Sequence, residues 1–476
     1  MDKPASIIVN GLPRLEIIDV SSPSKPDNYR ISPISGHSGY DQSVWNDWSG
    51  RGSHVDFYPD EVVPLKEERF LGHGVMGGVY ETHCKGIAFA WKRRYCRHKI
   101  GAAERKEIEI LKKLSHRHII RLVGTYTHRS FLGLLLHPVA VCDLSTLLED
   151  FEYFYSEQSL DSTQKDRLEK LGLPHGSWND FRPAGCSLLY STIGCLANAI
   201  EYLHSQDIRH KDLKPANILL SRNQVWLTDF GSATDFSMLS QSATENGERG
   251  TPKYFAPEVA QYRPSGRAAD IFSLGCIYLE IATFFLQGTL ANLRSLRPDM
   301  DTSYQANLNR SPQWFKQLKT TSPRYRHLLL EVEQMLEFAP ELRPTAAELH
   351  RRLVYIDHFR QPEHTRSLFG RCCSTDLFTT SELNSQLQKQ KTGLIDNIRN
   401  TFIRRFKSAT WPITEGKPNQ ASTFNNNTSP DDLPRQDTTA EIRSLQSYHA
   451  QMFDGMPDNV YSHVPLTSHS PKRPAF

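Results

Sequence analysis

The chain has 476 residues, room for two or three average domains, so length alone does not say how many cores it holds. Its hydrophobic content of 38% and formal net charge of +3 exclude a protein whose overall charge would bind nucleic acid. No apolar run approaches the ~20 residues that span a bilayer. The sequence therefore reads as intracellular, in cytoplasm or nucleus, with no signal peptide or transmembrane segment.

Residues 1–65 are rich in Ser, Pro, Gly, Asp and Asn and offer few apolar side chains to offset the entropy of ordering, so a flexible leader is expected. Trp45 and Trp48 near its end either pin it to the next domain or form a short docking motif, and pinning is the plainer reading. From Phe70 the chain turns to short segments of β-branched and aromatic residues, which predict a twisted antiparallel sheet with a hairpin at Lys85-Gly86. A helix is expected over Ala102–Leu114, with Ile108, Leu111 and Leu114 at helical spacing. The stretch near 149–186 is polar and aromatic and reads as an insertion, after which helical patterns dominate as far as His358. A small sheet-rich lobe joined to a larger helical one follows from this order.

Gly72, Gly74 and Gly77 spell GxGxxGxV with Val79. Glycines let backbone amides approach phosphate oxygens, yet a bare glycine pattern is more often a turn and also marks dinucleotide folds. Lys92, twenty positions after Gly72 at the end of a strand, separates these readings, because a dinucleotide site would continue into a helix. The helix offers Glu107 as an ion-pair partner for Lys92, with Glu104 and Glu109 as competitors on its exposed face. Further on, "RHKDLKPANILL" brings Asp212, Lys214 and Asn217 into one short loop: a carboxylate to accept a hydroxyl proton, a lysine to neutralise a phosphoryl group, and an amide oxygen for a cation. "VWLTDFGSA" then sets Asp229 on a turn after an apolar strand, a second cation-binding group.

Together these motifs resemble the eukaryotic protein kinase family, serine/threonine type, over residues 66–355. The resemblance implies an α+β, bilobal fold with a small antiparallel-sheet lobe bearing one helix and a larger, mainly helical lobe. It implies γ-phosphoryl transfer from ATP, with Mg²⁺, to Ser/Thr hydroxyls of protein substrates. Gly72, Gly74 and Gly77 would cover the phosphates, Lys92 would hold the α and β phosphates and pair with Glu107, and Val79, Ala90 and Leu219 would sandwich adenine. Asp212 would be the catalytic base and Lys214 would meet the γ-phosphate, while Asn217 and Asp229 would hold the metal. Ala256-Pro257-Glu258, Asp270 and Arg343 match structural positions, with Arg343 pairing to Glu258.

The lysine in "DLKPAN" and Thr251 in "GTP" resemble the Ser/Thr class. Lys211 stands where the family usually has arginine, so dependence on a phosphate among Ser237, Ser240, Ser242 and Thr244 is left open. The segment "LGLLLHPVAVCDLSTLL" holds the interlobe hinge, with Leu135, Leu136 and His137 all open as the residue at its mouth. A pseudokinase or scaffold acting by partner binding is the rival reading.

Residues 356–476 are expected to be largely disordered, with an amphipathic helix over 393–411 whose Leu394, Ile398, Phe402 and Phe406 alternate with arginines, a pattern suited to a membrane surface, a calmodulin-like protein or the chain's own domain. Eight cysteines contain no CxxC pair and no histidine spacing suited to zinc, and read as free thiols in a reducing compartment. Cys372-Cys373, beside Leu368 and Phe369, could accept palmitate.

Overall fold

The computed structural model describes residues 47–74, 77–96, 101–156, 159–237, 250–298, 300–318, 320, 322–358 and 367–373. The expected helix at 393–411, Trp45, and Ser240, Ser242 and Thr244 lie outside them.

The first lobe is a six-stranded sheet of β1 (His54–Phe57), β2 (Phe70–Gly74), β3 (Gly77–Cys84), β4 (Ile87–Tyr95), β5 (Arg121–His128) and β6 (Phe131–His137), in the order β1-β5-β6-β4-β3-β2. Lys85 and Gly86 close the β3–β4 hairpin at φ 49° and 76°, the left-handed pair whose twist suits a two-residue turn. Gly77 is fixed by close approach, since a Cβ there would fall 1.9 Å from the Arg93 carbonyl oxygen on β4. Helix α1 (Ala102–Lys113) follows these strands. Its buried face is Glu107, Ile110 and Leu111, continued by Leu114, whereas Ile108 is only half-buried.

Part of the expected leader is folded. β1 runs parallel to β5, and Trp48, 1% exposed, lies over Gly124, where any Cβ would come 2.2 Å from the indole. Its Nε1 donates to the Ser53 carbonyl at 3.2 Å, and its own carbonyl accepts from the Cys84 thiol at 2.9 Å. Composition concealed this, because one large aromatic ring seated in a glycine notch supplies burial that a count of apolar residues does not register.

The second lobe begins with β7 (Cys142–Asp143), α2 (Leu144–Tyr155), α3 (Ser162–Lys170) and α4 (Trp178–Ser205). The stretch read as an insertion is thus largely helical. Asp161 and Gln164 form a reciprocal capping box at the start of α3, Leu168 is fully buried, and Arg167 grips buried Asp150 of α2 through two bonds of 2.7 Å. β8 (Ile208–Arg209), β9 (Ile218–Ser221), β10 (Gln224–Leu227) and β11 (Thr234–Asp235) form small sheets at the lobe junction. Behind them lie α5 (Pro257–Ala260), α6 (Arg267–Gln287), α7 (Ala291–Ser295), α8 (Ser311–Gln317), α9 (Pro323–Met335) and α10 (Ala346–His358). The core is built on α4 and α6, whose Leu189, Ile193, Leu196, Ile200, Phe272, Leu274 and Ile277 are fully buried. Among the described residues α6 is long and apolar enough to cross a membrane, but 83% of its apolar window is buried within the protein.

A short part of the carboxyl-terminal region is also folded. Residues 367–373 pack on the helical lobe, with Leu368, Phe369 and Cys373 buried. Asp357 accepts from the Leu368 amide at 2.7 Å and the Ser367 hydroxyl at 2.8 Å, and the Leu368 carbonyl accepts from the Gly194 amide at 2.8 Å.

Trp48→Ala should destabilise the protein by about 3 kcal/mol or more, the usual cost of emptying a large aromatic site. Urea unfolding with an unchanged midpoint would show that this segment is not part of the folded lobe.

Candidate active site

Lys92 is held on the face of β4 that its neighbours on β3 and β6 share. The register sets it opposite Val79 and Leu134, and sets Ala90 opposite Glu81 and Leu136. Residues paired across strands point to the same side, so Val79, Ala90, Lys92 and Leu136 line one surface. Val79 and Ala90 are half-buried there, as is Leu219 of β9 on the other lobe, between fully buried Ile218 and Leu220. The glycine segment is the β2–β3 hairpin, with Gly74 paired to Gly77.

The Lys92 ammonium donates to Glu107 Oε1 and to Asp229 Oδ1, each at 2.9 Å. Glu107 is 2% exposed, and its second oxygen pairs with Arg94 at 2.9 Å. This selects Glu107 over Glu104 and Glu109, which stand half-buried and exposed. Burial by itself would push the lysine toward its neutral form, but the Glu107 and Asp229 carboxylates outweigh it and raise its pKa above the ordinary value. For Asp229, burial pulls upward and Lys92 downward, and the net shift is down. Asp229 sits at φ 63°, ψ 74°, the left-handed region where short polar side chains are tolerated, and the following Phe230 is fully buried against the ring of His210 at 4.9 Å.

Asp212 and its neighbours form the other half of the site. Oδ1 of Asp212 accepts from the Thr251 amide at 2.8 Å and hydroxyl at 3.0 Å. Oδ2 accepts from Lys214 at 2.8 Å and Asn217 Nδ2 at 3.2 Å. Lys214 also donates to the Thr251 hydroxyl at 2.8 Å, and Asn217 Nδ2 to the Asp212 carbonyl at 2.8 Å. The chain reaches this arrangement through Gly250, whose absent Cβ would lie 2.6 Å from both Asp212 Oδ1 and the Lys211 carbonyl oxygen. Thr251 was legible as a class marker, but its direct bonds to Asp212 and Lys214 had no signal beyond the "GTP" spelling.

The loop is clamped from beneath by Asp270 of α6, 1% exposed. It accepts from the amides of His210 and Lys211, each at 2.9 Å, and from His204 at 3.1 Å. These bonds allow Lys211 its φ of 67°. The predicted pairing of Arg343 with Glu258 is two-pronged, at 2.8 and 2.9 Å, and buried.

The donor set suits a hard cation. Asn217 donates through its nitrogen and so leaves Oδ1 to coordinate, and Asp229 keeps Oδ2 when Oδ1 is on Lys92. Lysine and paired backbone strands above, with oxygen donors below, can hold a polyphosphate and its metal between the lobes.

Burial raises the pKa of Asp270, but the His204 hydrogen bond and neighbouring positive charges lower it further, to a net value below the ordinary one. A depressed carboxylate stabilises the folded state above the unfolded pKa and loses that contribution as pH falls through the folded one. Asp270→Asn should cost about 3 kcal/mol at neutral pH, and the gap to wild type should narrow on acidification below the ordinary carboxylate pKa of about 3.9. Urea unfolding across pH tests this, and a gap independent of pH would contradict it.

Comparison with known proteins gives the same picture. The mitogen-activated protein kinase kinase kinase A of Dictyostelium discoideum is 34% identical over 180 residues, 37% of this chain and 16% of that protein. The mitogen-activated protein kinase kinase kinase ANP1 of Arabidopsis thaliana is 30% identical over 241 residues, 48% of this chain and 31% of the relative. The human cAMP-dependent protein kinase catalytic subunit PRKX is 35% identical over 181 residues, 38% of this chain and 40% of its own length. The matches therefore span less than half of each relative. A family model described as a protein kinase domain matches residues 65–354, more than half of the sequence. With the two lobes, the paired lysine and glutamate and the motif order already in view, the chain belongs to the eukaryotic protein kinase family.

Proposed function

We propose that the chain is an active serine/threonine protein kinase that transfers the γ-phosphoryl group of ATP, with Mg²⁺, to protein hydroxyls in signalling. The observation that carries the reading is the Asp212–Lys214–Thr251 network, in which a hydroxyl already sits 3.0 Å from Asp212 Oδ1 and 2.8 Å from the Lys214 ammonium.

A carboxylate offers about four lone-pair positions, and Asp212 uses them on the Thr251 amide and hydroxyl, Lys214 and Asn217. An incoming serine or threonine hydroxyl would take the place of one of these donors, the Thr251 hydroxyl being its chemical equivalent. Asp212 then accepts the proton as base, and Lys214 neutralises charge on the transferring group. Lys92, kept cationic and aimed by Glu107, binds the α and β phosphates under Gly72, Gly74 and Gly77. Val79, Ala90 and Leu219 bracket the adenine, and Leu136, opposite Ala90, borders it at the hinge. The metal, held by Asn217 and Asp229, would screen the phosphate charge. Catalysis on this reading is positioning and charge neutralisation.

Incubation with labelled ATP and a generic basic protein should give phosphoserine and phosphothreonine. Asp212→Asn should lower turnover about 100-fold or more, the usual worth of a positioned base, and Asp229→Asn should abolish it with folding intact. Phosphotyrosine alone would overturn the hydroxyl preference. No transfer with either Mg²⁺ or Mn²⁺ would favour the pseudokinase.

A further inference from the structure

Four metal-ligating side chains converge on the helical lobe, outside the catalytic constellation. His118 Nε2 and the sulfurs of Cys195, Cys372 and Cys373 all lie within 4.8 Å of one another. They come from three places: the connection between α1 and β5, the middle of α4, and the packed segment 367–373. His118, Cys195 and Cys373 are buried and Cys372 is half-buried.

We propose that His118, Cys195, Cys372 and Cys373 form a closed Cys₃His site for a thiophilic divalent cation, Zn²⁺, that fastens the segment following the kinase domain to the domain. Zn–S bonds of about 2.3 Å and Zn–N bonds of about 2.0 Å, set tetrahedrally, separate sulfurs by about 3.8 Å and nitrogen from sulfur by about 3.5 Å. Cys195 Sγ stands 3.5 Å from Cys372 Sγ and 3.8 Å from Cys373 Sγ, near those edges and far from a disulfide bond. His118 Nε2 lies 3.0 Å from Cys373 Sγ, a contact that lengthens by about half an ångström as a cation enters.

The surroundings are those of a metal site. His118 Nδ1 is 2.9 Å from the Val225 carbonyl, an acceptor that fixes the proton on Nδ1 and presents the Nε2 lone pair to the sulfurs. The Gly370 amide donates to Cys195 Sγ at 3.2 Å, as amides do to metal-bound thiolates, and Arg117 donates to the Cys372 carbonyl. A Cβ on Gly370 would press to 3.0 Å of Cys372 Sγ and 3.3 Å of Cys195 Sγ, so the glycine keeps the sulfurs together. Loading releases three thiol protons to solvent and leaves the site with one net negative charge, near the Arg117 guanidinium. Four protein ligands leave no open position, so the role is structural.

Such a site needs no CxxC pair or short histidine spacing, since its ligands come from separate parts of the chain. It also gives Cys372-Cys373 a use other than acylation, since Cys373 is 3% exposed.

The test is metal analysis of the full chain purified without chelator. The expectation is about one Zn²⁺ per chain, lost in Cys195→Ser and Cys373→Ser and kept in Cys84→Ser, whose thiol lies elsewhere. Because those serines could unfold the lobe, two measurements stand apart from them. Wild type reloaded with Co²⁺ should show thiolate-to-metal charge transfer and a tetrahedral visible band, and His118→Cys should still bind metal. Folded wild type without zinc and without a Co²⁺ thiolate band overturns the proposal. So does a Cys195–Cys372 disulfide in peptide maps, or zinc retained by both serine variants.

Discussion

A single buried carboxylate ties the two lobes into one site. Glu107, on the helix of the small lobe, has both oxygens engaged, by Lys92 and Arg94, and Lys92 in turn reaches Asp229 of the large lobe. Each of these charges costs free energy to remove from water, and their mutual attraction offsets that cost only when all partners are in place. The arrangement is therefore cooperative. Rotating α1 outward would break the Glu107 pairs with Lys92 and Arg94 and leave Lys92 with Asp229 alone. The position of one helix thus decides how many of the ion pairs around Lys92 are made.

The large lobe holds its part of the candidate site outside its α-helices and strands. Asp212 and Lys214 lie on a loop and Asn217 ends the short 3₁₀ turn that follows it, and such segments hold geometry only when their backbone groups are satisfied by something rigid. Asp270 supplies this from α6 by accepting two consecutive amides, and the Arg343–Glu258 pair fixes the helix that follows Thr251. Gly250 completes the arrangement by its lack of a side chain, which lets Thr251 press against Asp212. The two lobes therefore use one device, a buried carboxylate shared among several donors, to hold mobile chemistry on fixed supports.

The ends of the domain follow a different physics. Trp48 in front and residues 367–373 behind are short segments in chains of low hydrophobic content, and both are held by a few specific contacts in place of a broad apolar face. Such contacts depend on notches in the folded domain, at Gly124 for the indole and at Gly194 for Phe369, where added Cβ atoms would fall 2.2 and 2.5 Å from the rings. A notch exists only once the domain is folded, so composition could not reveal the docked segment.

The sequence by itself determined the lobe order, the hairpin at Lys85-Gly86, and the identity and order of Gly72, Lys92, Asp212, Asn217 and Asp229. These depend on local backbone preference and on side-chain chemistry within short windows, both of which a linear string records. It narrowed but did not physically decide the choice of Glu107 among three glutamates, because burial in the turned helix distinguishes them. Tertiary structure alone joined Thr251 to Asp212, 39 positions apart, and assembled sulfurs separated by 177 positions with a histidine 255 positions from the sulfur it contacts. Side chains that meet only through the packing of distant elements leave no periodicity or spacing in the sequence, and the geometry between them is a property of the folded lobe.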